Sequence, residues 1–226
     1  VAEGGRRVGG LTSASSVSFP PAARVTPPTV EQLAVPASGS MMNVIGVTEG
    51  DVLTRTLRME PTVRDGLAVA DSSRDLAKIV VLERHHATGR FAVGFVSGLG
   101  IGRGAVASSV AHDAHNFVAA GMDDRSIVTA LTRLCQTGGG LAAADGSTVR
   151  GALDLPIGGL MTNLDAPSAA RALDDLERCA VALGVGIAHP FMALSFLCLS
   201  VIPELRITDQ GYVDITKGGI QPLFPD

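Results

Sequence analysis

Two apolar segments, AKIVVLERH (Ala77 to His85) and RFAVGFVSG (Arg90 to Gly98), stand four residues apart with no helical period between them. Both are rich in β-branched and aromatic residues, which suit strands. The link, His86-Ala87-Thr88-Gly89, fits a short hairpin. A hairpin pairs its strands antiparallel, whereas parallel neighbours need a crossover of a dozen or more residues. The same rhythm continues. GAVASSVAHDAHNFVAAG reads as one or two further strands, and Asp145-Gly146 marks a tight turn between strand-like runs. LRITDQGYVDI reads as a hairpin around Asp209-Gln210-Gly211. Upstream, VIGVTEGDVLTRTLRME alternates with period two, placing Val52, Thr54, Thr56 and Arg58 on one side and Leu53, Arg55, Leu57 and Met59 on the other.

Two segments carry a helical period. From Asp124 to Thr137, Ile127, Ala130, Leu131, Leu134 and Cys135 form one apolar stripe, with Asp123 placed to cap its start and Gly138 to end it. From Pro167 to Leu183, Ala169, Leu173, Leu176, Ala180 and Leu183 share a face, and Gly184 terminates it. Strands outnumber helices and do not alternate regularly with them. The expected fold is therefore α+β, a mixed and largely antiparallel sheet with two main helices.

Composition narrows the function. At 226 residues, 46% hydrophobic and 18% charged, the chain can bury a sizeable core and is not disordered. A net charge of −4 and only 4% aromatic residues argue against a nucleic-acid partner, which calls for a basic surface and stacking platforms. The longest apolar stretch, Phe191 to Ile202, falls short of the roughly 20 residues of a membrane span. Cys135, Cys179 and Cys198 are odd in number and lack a CxxC pair, as expected of buried reduced thiols in a cytoplasmic protein.

The chain opens on VAEGGRRVGG, a hairpin pattern around Gly4-Gly5, followed by a Pro-, Ser- and Ala-rich stretch carrying Pro20, Pro21, Pro27, Pro28 and Pro36. Proline pairs forbid continuous helix. The expected organisation is a remnant strand pair over residues 1–12, a linker or surface arm over 13–41, and a globular domain over 42–226.

Three constellations have chemical content. Gly100-Ile101-Gly102-Arg103-Gly104-Ala105 formally fits a dinucleotide fingerprint, but that motif works only when a helix follows and points its N-terminus at the pyrophosphate. A strand-like run follows instead, so a glycine-rich turn or bulge is the expected reading. His112, Asp113, His115 and Asn116 (HDAHN) place four polar side chains within five positions of an apolar stretch. Unpaired buried polar groups are costly. The block therefore reads as a satisfied polar network, as ligand contacts at a cleft, or, if a turn brings the imidazoles together, as metal ligation. Glu83-Arg84-His85-His86 ends a strand and reads as a solvated edge or as a polar rim to the same cleft, with His85 and His86 as candidate substrate contacts. His189, before Pro190, reads as structural.

Several stretches resemble the C-terminal domain of bacterial adenine deaminases: ERHHATGRFAVGFVSGLGIGRGAVASSVAHDAHNFVAAG, GGGLAAADG, LDLPIGGLMT, PFMALSFLCLSVIPELRITDQGYVDI and the closing PLF. The resemblance runs from about Val44 to Phe224. VAEGGRRVGG also resembles the strand pair by which that family's chain leaves a small β domain flanking its catalytic barrel. The resemblance implies a member of the amidohydrolase superfamily, in which metal-activated hydroxide attacks adenine to give hypoxanthine and ammonia. The family's divalent metal (manganese, iron or zinc) lies on a (β/α)8 barrel that opens with a His-x-His pair. This sequence has no His-x-His, and its sheet-rich pattern leaves no room for a barrel. None of the family's metal ligands therefore maps onto this chain.

What maps is the polar block, with Ala114 where the family commonly has Ser. The implied function is the C-terminal portion of an adenine deaminase-like enzyme. Its catalytic barrel would lie on a separate or missing polypeptide, its substrate would be a purine base, and the whole enzyme would be a cytoplasmic homo-oligomer. The alternative is a free-standing, non-catalytic module that binds a ligand or partner.

Overall fold

The computed structural model describes residues 2–4, 6–7 and 25–225. Two short strands, β1 (Ala2–Glu3) and β2 (Arg6–Arg7), pair antiparallel with Glu3 opposite Arg6. Gly5 of the expected turn and the Pro20-Pro21 pair lie outside the described residues.

The main body opens with β3 (Met42–Val47), β4 (Thr54–Met59) and a small hairpin, β5 (Thr62–Arg64) with β6 (Leu67–Val69). Strands β7 (Ala77–Leu82), β8 (Phe91–Ser97), β9 (Ala105–Ser108) and β10 (Phe117–Gly121) follow with no α-helix between them. Helix α1 (Asp124–Thr137) leads into the hairpin of β11 (Gly140–Asp145) and β12 (Thr148–Asp154), and then come α2 (Ala166–Ala182) and α3 (Pro190–Leu197). A three-stranded meander, β13 (Leu205–Thr208), β14 (Gly211–Asp214) and β15 (Gly219–Gln221), follows them.

Eight strands make one sheet in the order β12-β11-β9-β10-β7-β8-β3-β4. All its pairings are antiparallel except β3 with β8, where Ile45 lies opposite Val96. The fold is α+β with a mixed, mostly antiparallel sheet.

The sheet is covered on both faces, which explains why its central strands are apolar throughout. In β7 all six residues are buried: Ala77, Ile79 and Val81 face one layer, Val80 and Leu82 the other. The first layer comprises Leu176 and Ala180 of α2, Phe191, Leu194 and Leu197 of α3, and Leu205, Ile207 and Tyr212 of the meander. The second is the α1 stripe of Ile127, Ala130, Leu131 and Leu134, together with Val25 and Leu33. Lys78, on that second face, is anchored by the Leu33 carbonyl at 2.9 Å and Asp124 at 2.6 Å. Val25, Leu33 and Val35 are thus buried against the domain's own sheet.

The two anticipated helices form as their end signals direct. Asp123 accepts from the Ser126 N–H at 2.8 Å, and Gly138 ends α1 at φ 77. Asp165 caps α2 through Ser168. The third helix, α3, is additional to the two expected from the sequence. It is only eight residues long and apolar nearly all round, so it carries no stripe to betray it. It forms because the face carrying Phe191, Leu194, Ser195 and Leu197 is buried. The glycine-rich loop after β8 is a turn, with the Gly98 and Gly100 N–H groups held by the Asp75 carboxylate at 2.7 and 2.8 Å, and strand β9 follows it.

Candidate functional site

Strands β7 and β10 are antiparallel neighbours with Leu82 opposite Phe117. The ERHH run, which leaves the end of β7, therefore lies beside the HDAHN block, which enters β10. The block is the turn between β9 and β10, where a strand would have thrown the imidazoles to opposite faces. His112 and His115 instead meet edge to face, with ring centroids 5.5 Å apart, and the His112 ring also lies 5.3 Å from that of Phe196. Four of the chain's five histidines thus belong to these two neighbouring segments.

Each member has a distinct setting. Glu83, 3% exposed, does not face solvent. One of its oxygens accepts from the His85 and His86 N–H groups at 2.5 and 2.8 Å, and the other from the Thr88 N–H at 3.1 Å and hydroxyl at 2.9 Å. Burial pushes this carboxyl up, but the four donors outweigh it and hold its pKa at about 2. Glu83 is therefore the organiser of the turn carrying His85 and His86. His85 is itself committed, its Nε2 lying 2.5 Å from the Ala114 carbonyl, while His86 is exposed.

Asn116 is buried and bridges two elements. Its Oδ1 accepts from the Arg84 N–H at 3.3 Å, and its Nδ2 donates to Asp209 at 3.1 Å. Asp209, at the β13–β14 turn, also receives the Arg90 Nε at 2.5 Å. On this side Asp113, Ala114 and Asn116 face Cys198, Ser200 and Asp209 across a cleft of about 290 Å³.

On the other side, Arg84 is buried, only 7% exposed. Its Nε donates to the His115 carbonyl, and its Nη2 to the Gly158 carbonyl at 2.8 Å. The guanidinium also stacks 5.6 Å from the Phe117 ring centre. Gly159 closes over it: a Cβ there would come within 2.7 Å of Nη1, and the left-handed backbone (φ 74) independently favours glycine. Burial, with the positive fields of His112 and Arg84, pushes the His115 imidazole below its usual value of 6.5, so it is neutral at neutral pH. Its Nδ1 is enclosed and has no hydrogen-bond partner.

This arrangement combines the neutral His115 imidazole, a buried cation and a polar cleft. Among the described residues no three His, Cys, Asp or Glu side chains come together as metal ligands. Nor does any helix of the described residues have the length and apolarity to cross a membrane. The Gly158-Gly159 loop and Asp209 are members that the sequence reading left out of the site. The paired glycines after Pro156 signal a close backbone approach, whereas Asp209 carries only the signal of a turn residue.

Comparison with known proteins identifies the domain. Residues 51–218 match the family model of the adenine deaminase C-terminal domain. An adenine deaminase of Oleidesulfovibrio alaskensis is 45% identical over 194 residues, covering 86% of this chain and 34% of that protein. One of Methanothrix thermoacetophila is 43% identical over 198 residues, 88% of this chain and 35% of that protein. One of Syntrophobacter fumaroxidans is 42% identical over 225 residues, 99% of this chain and 39% of that protein. The chain therefore spans little more than a third of the length of these curated relatives. With seven of the sheet's eight strands, its covering helices and its histidine-rich turn inside residues 51–218, the chain belongs to the adenine deaminase C-terminal domain family.

Proposed function

We propose that this chain is the C-terminal portion of an adenine deaminase, an enzyme converting adenine and water to hypoxanthine and ammonia. The observation that carries the reading is the coverage: relatives named adenine deaminase match 86–99% of this chain while it covers 34–39% of them. The metal-bearing barrel belongs, on this reading, to the portion that the chain does not span. The divalent metal (manganese, iron or zinc) would activate water there. No residue of this domain is assigned to hold it, because the histidine cluster does not have a ligand geometry.

The domain's own contribution is to present a rim. Neutral His115, with His112 and Asp113 beside it, offers donors and acceptors suited to the edge of a purine base, while Glu83 and Arg84 fix the backbone that carries them. Three unpaired cysteines fit a cytoplasmic setting. A homo-oligomeric whole enzyme is part of the same reading, resting on the family resemblance alone.

The test is a chimera in which this chain replaces the matching portion of the Syntrophobacter protein, with hypoxanthine release as the readout. The chimera should turn over adenine, whereas this chain alone, with any added divalent metal, should not. His115→Asn in the chimera should lower turnover without lowering the melting temperature, since asparagine tolerates the left-handed backbone found there (φ 51). A folded chimera no faster than the remainder of the relative alone would overturn the proposal in favour of a non-catalytic binding module.

A further inference from the structure

Three cations of the main body are more than nine-tenths buried: Lys78, Arg84 and Arg206. Buried charges are ordinarily paired or saturated with hydrogen bonds. Lys78 has Asp124. Arg206 has no carboxylate, but all three of its nitrogens donate, to the carbonyls of Ile202, Phe196, Val52 and Pro203 at 2.7 to 3.1 Å. Arg84 is the exception. It forms no ion pair among the described residues, and only two carbonyls accept from it.

The two bonds are also on one edge. Nε and Nη2 form the side of the guanidinium fork, and the His115 and Gly158 carbonyls take it. The terminal edge, Nη1 with the second Nη2 hydrogen, has no acceptor among the described residues. Nη1 is not among the fully enclosed, partnerless atoms. That edge presents two parallel N–H groups, the spacing that grips two oxygens of a carboxylate or phosphate. Nearby carboxylates do not supply it. Glu83 is spent on four donors, Asp209 on Arg90 and Asn116, and Asp113 is exposed. A second unpartnered group belongs to the same assembly: His115, whose carbonyl Arg84 holds, has an enclosed Nδ1 with no hydrogen-bond partner among the described residues.

We infer that the terminal edge of Arg84, with His115 beside it, is a seat for an oxyanion of the carboxylate or phosphate type. The seat is independent of the proposed deaminase activity. Two sources supply that chemistry, a free anion and a carboxylate side chain from the portion of a longer protein that covers this face.

The test uses the unaltered chain, labelled with 15N, titrated with sodium acetate and separately with sodium phosphate against sodium chloride at matched ionic strength. The Arg84 Nε–H and His115 ring signals should shift saturably with acetate and phosphate, with half-saturation in the millimolar range, while those of His189 and Arg206 stay still. The melting temperature should rise with the oxyanions, and Arg84→Gln should abolish the rise. Should that variant not fold, the titration of the unaltered chain still decides. In the chimera, loss of the response with Arg84 already in its bound position identifies a protein carboxylate, and a retained response identifies a free anion. Shifts that are absent, that do not saturate, or that chloride reproduces would overturn the inference, whether or not the chimera deaminates adenine.

Discussion

Glu83→Gln probes the organisation of the histidine turn directly. The substitution keeps the shape of the side chain but gives it one acceptor where the carboxylate has two. If the amide nitrogen takes the position facing Thr88, the Thr88 N–H loses its partner; if it takes the other, the His85 and His86 N–H groups both do. The cheaper choice strands one backbone donor and weakens the surviving charge-assisted bonds, which together cost about 2 kcal/mol. For a domain of this size that is a fall of about 4–8 °C in melting temperature.

The same residue fixes a pH signature. Its carboxyl has an ordinary value of 4.5 and a folded value of about 2, so the folded state favours the ionised form. Its contribution is therefore complete above pH 4.5 and is lost as the pH falls from 4.5 towards 2. Urea unfolding of both proteins near pH 7 and near pH 3 measures it. The stability gap between wild type and Glu83→Gln should be about 2 kcal/mol near neutrality and should mostly close near pH 3. A gap of equal size at both pH values, or none at pH 7, would refute the assignment of Glu83 as the charged organiser of this turn.

Two further measurements test the scaffold beneath the site. Tyr212 is buried, with its hydroxyl accepting from the Phe95 N–H at 2.5 Å and donating to the Phe95 carbonyl at 2.8 Å, so Tyr212→Phe should cost about 2–4 kcal/mol. Its urea midpoint should fall at unchanged slope; an unmoved midpoint would count against the meander-to-sheet tie. Burial pushes the thiols of Cys135 and Cys198 up to about 12, so a thiol reagent near pH 8 should modify them slowly in the folded chain and rapidly in urea. Rapid native labelling of Cys198 would place it at the surface instead.

Local signals sufficed where a structural choice was local. Asp123 and Gly138 bracket α1 because a cap and a left-handed glycine act within one turn of the helix. The four residues after His85 fix an antiparallel pair because so short a link leaves no other arrangement. Helix α3 escaped because its side chains are apolar without a period, a pattern that periodicity cannot separate from a buried strand. The β5–β6 hairpin escaped because three-residue strands carry too few alternations to register.

The candidate site shows where such reasoning must stop. A charged tetrad at a strand end resembles a solvated edge, and for His86 that reading describes the structure well. Arg84, two positions earlier, is buried by a loop that begins more than seventy residues downstream. Gly159 closes over the guanidinium and Gly158 accepts from it. Glu83 is buried in turn because four donors within five residues converge on it once the hairpin bends, a geometry that the letters ERHH do not contain. Burial is thus decided by long-range closure, while hydrogen-bonding capacity is decided by residue type. Arg84 has more capacity than closure uses, whereas every nitrogen of Arg206 donates to a backbone carbonyl. The difference between those two arginines is invisible in the sequence: one donates from all three nitrogens, while the other keeps its terminal edge without an acceptor among the described residues.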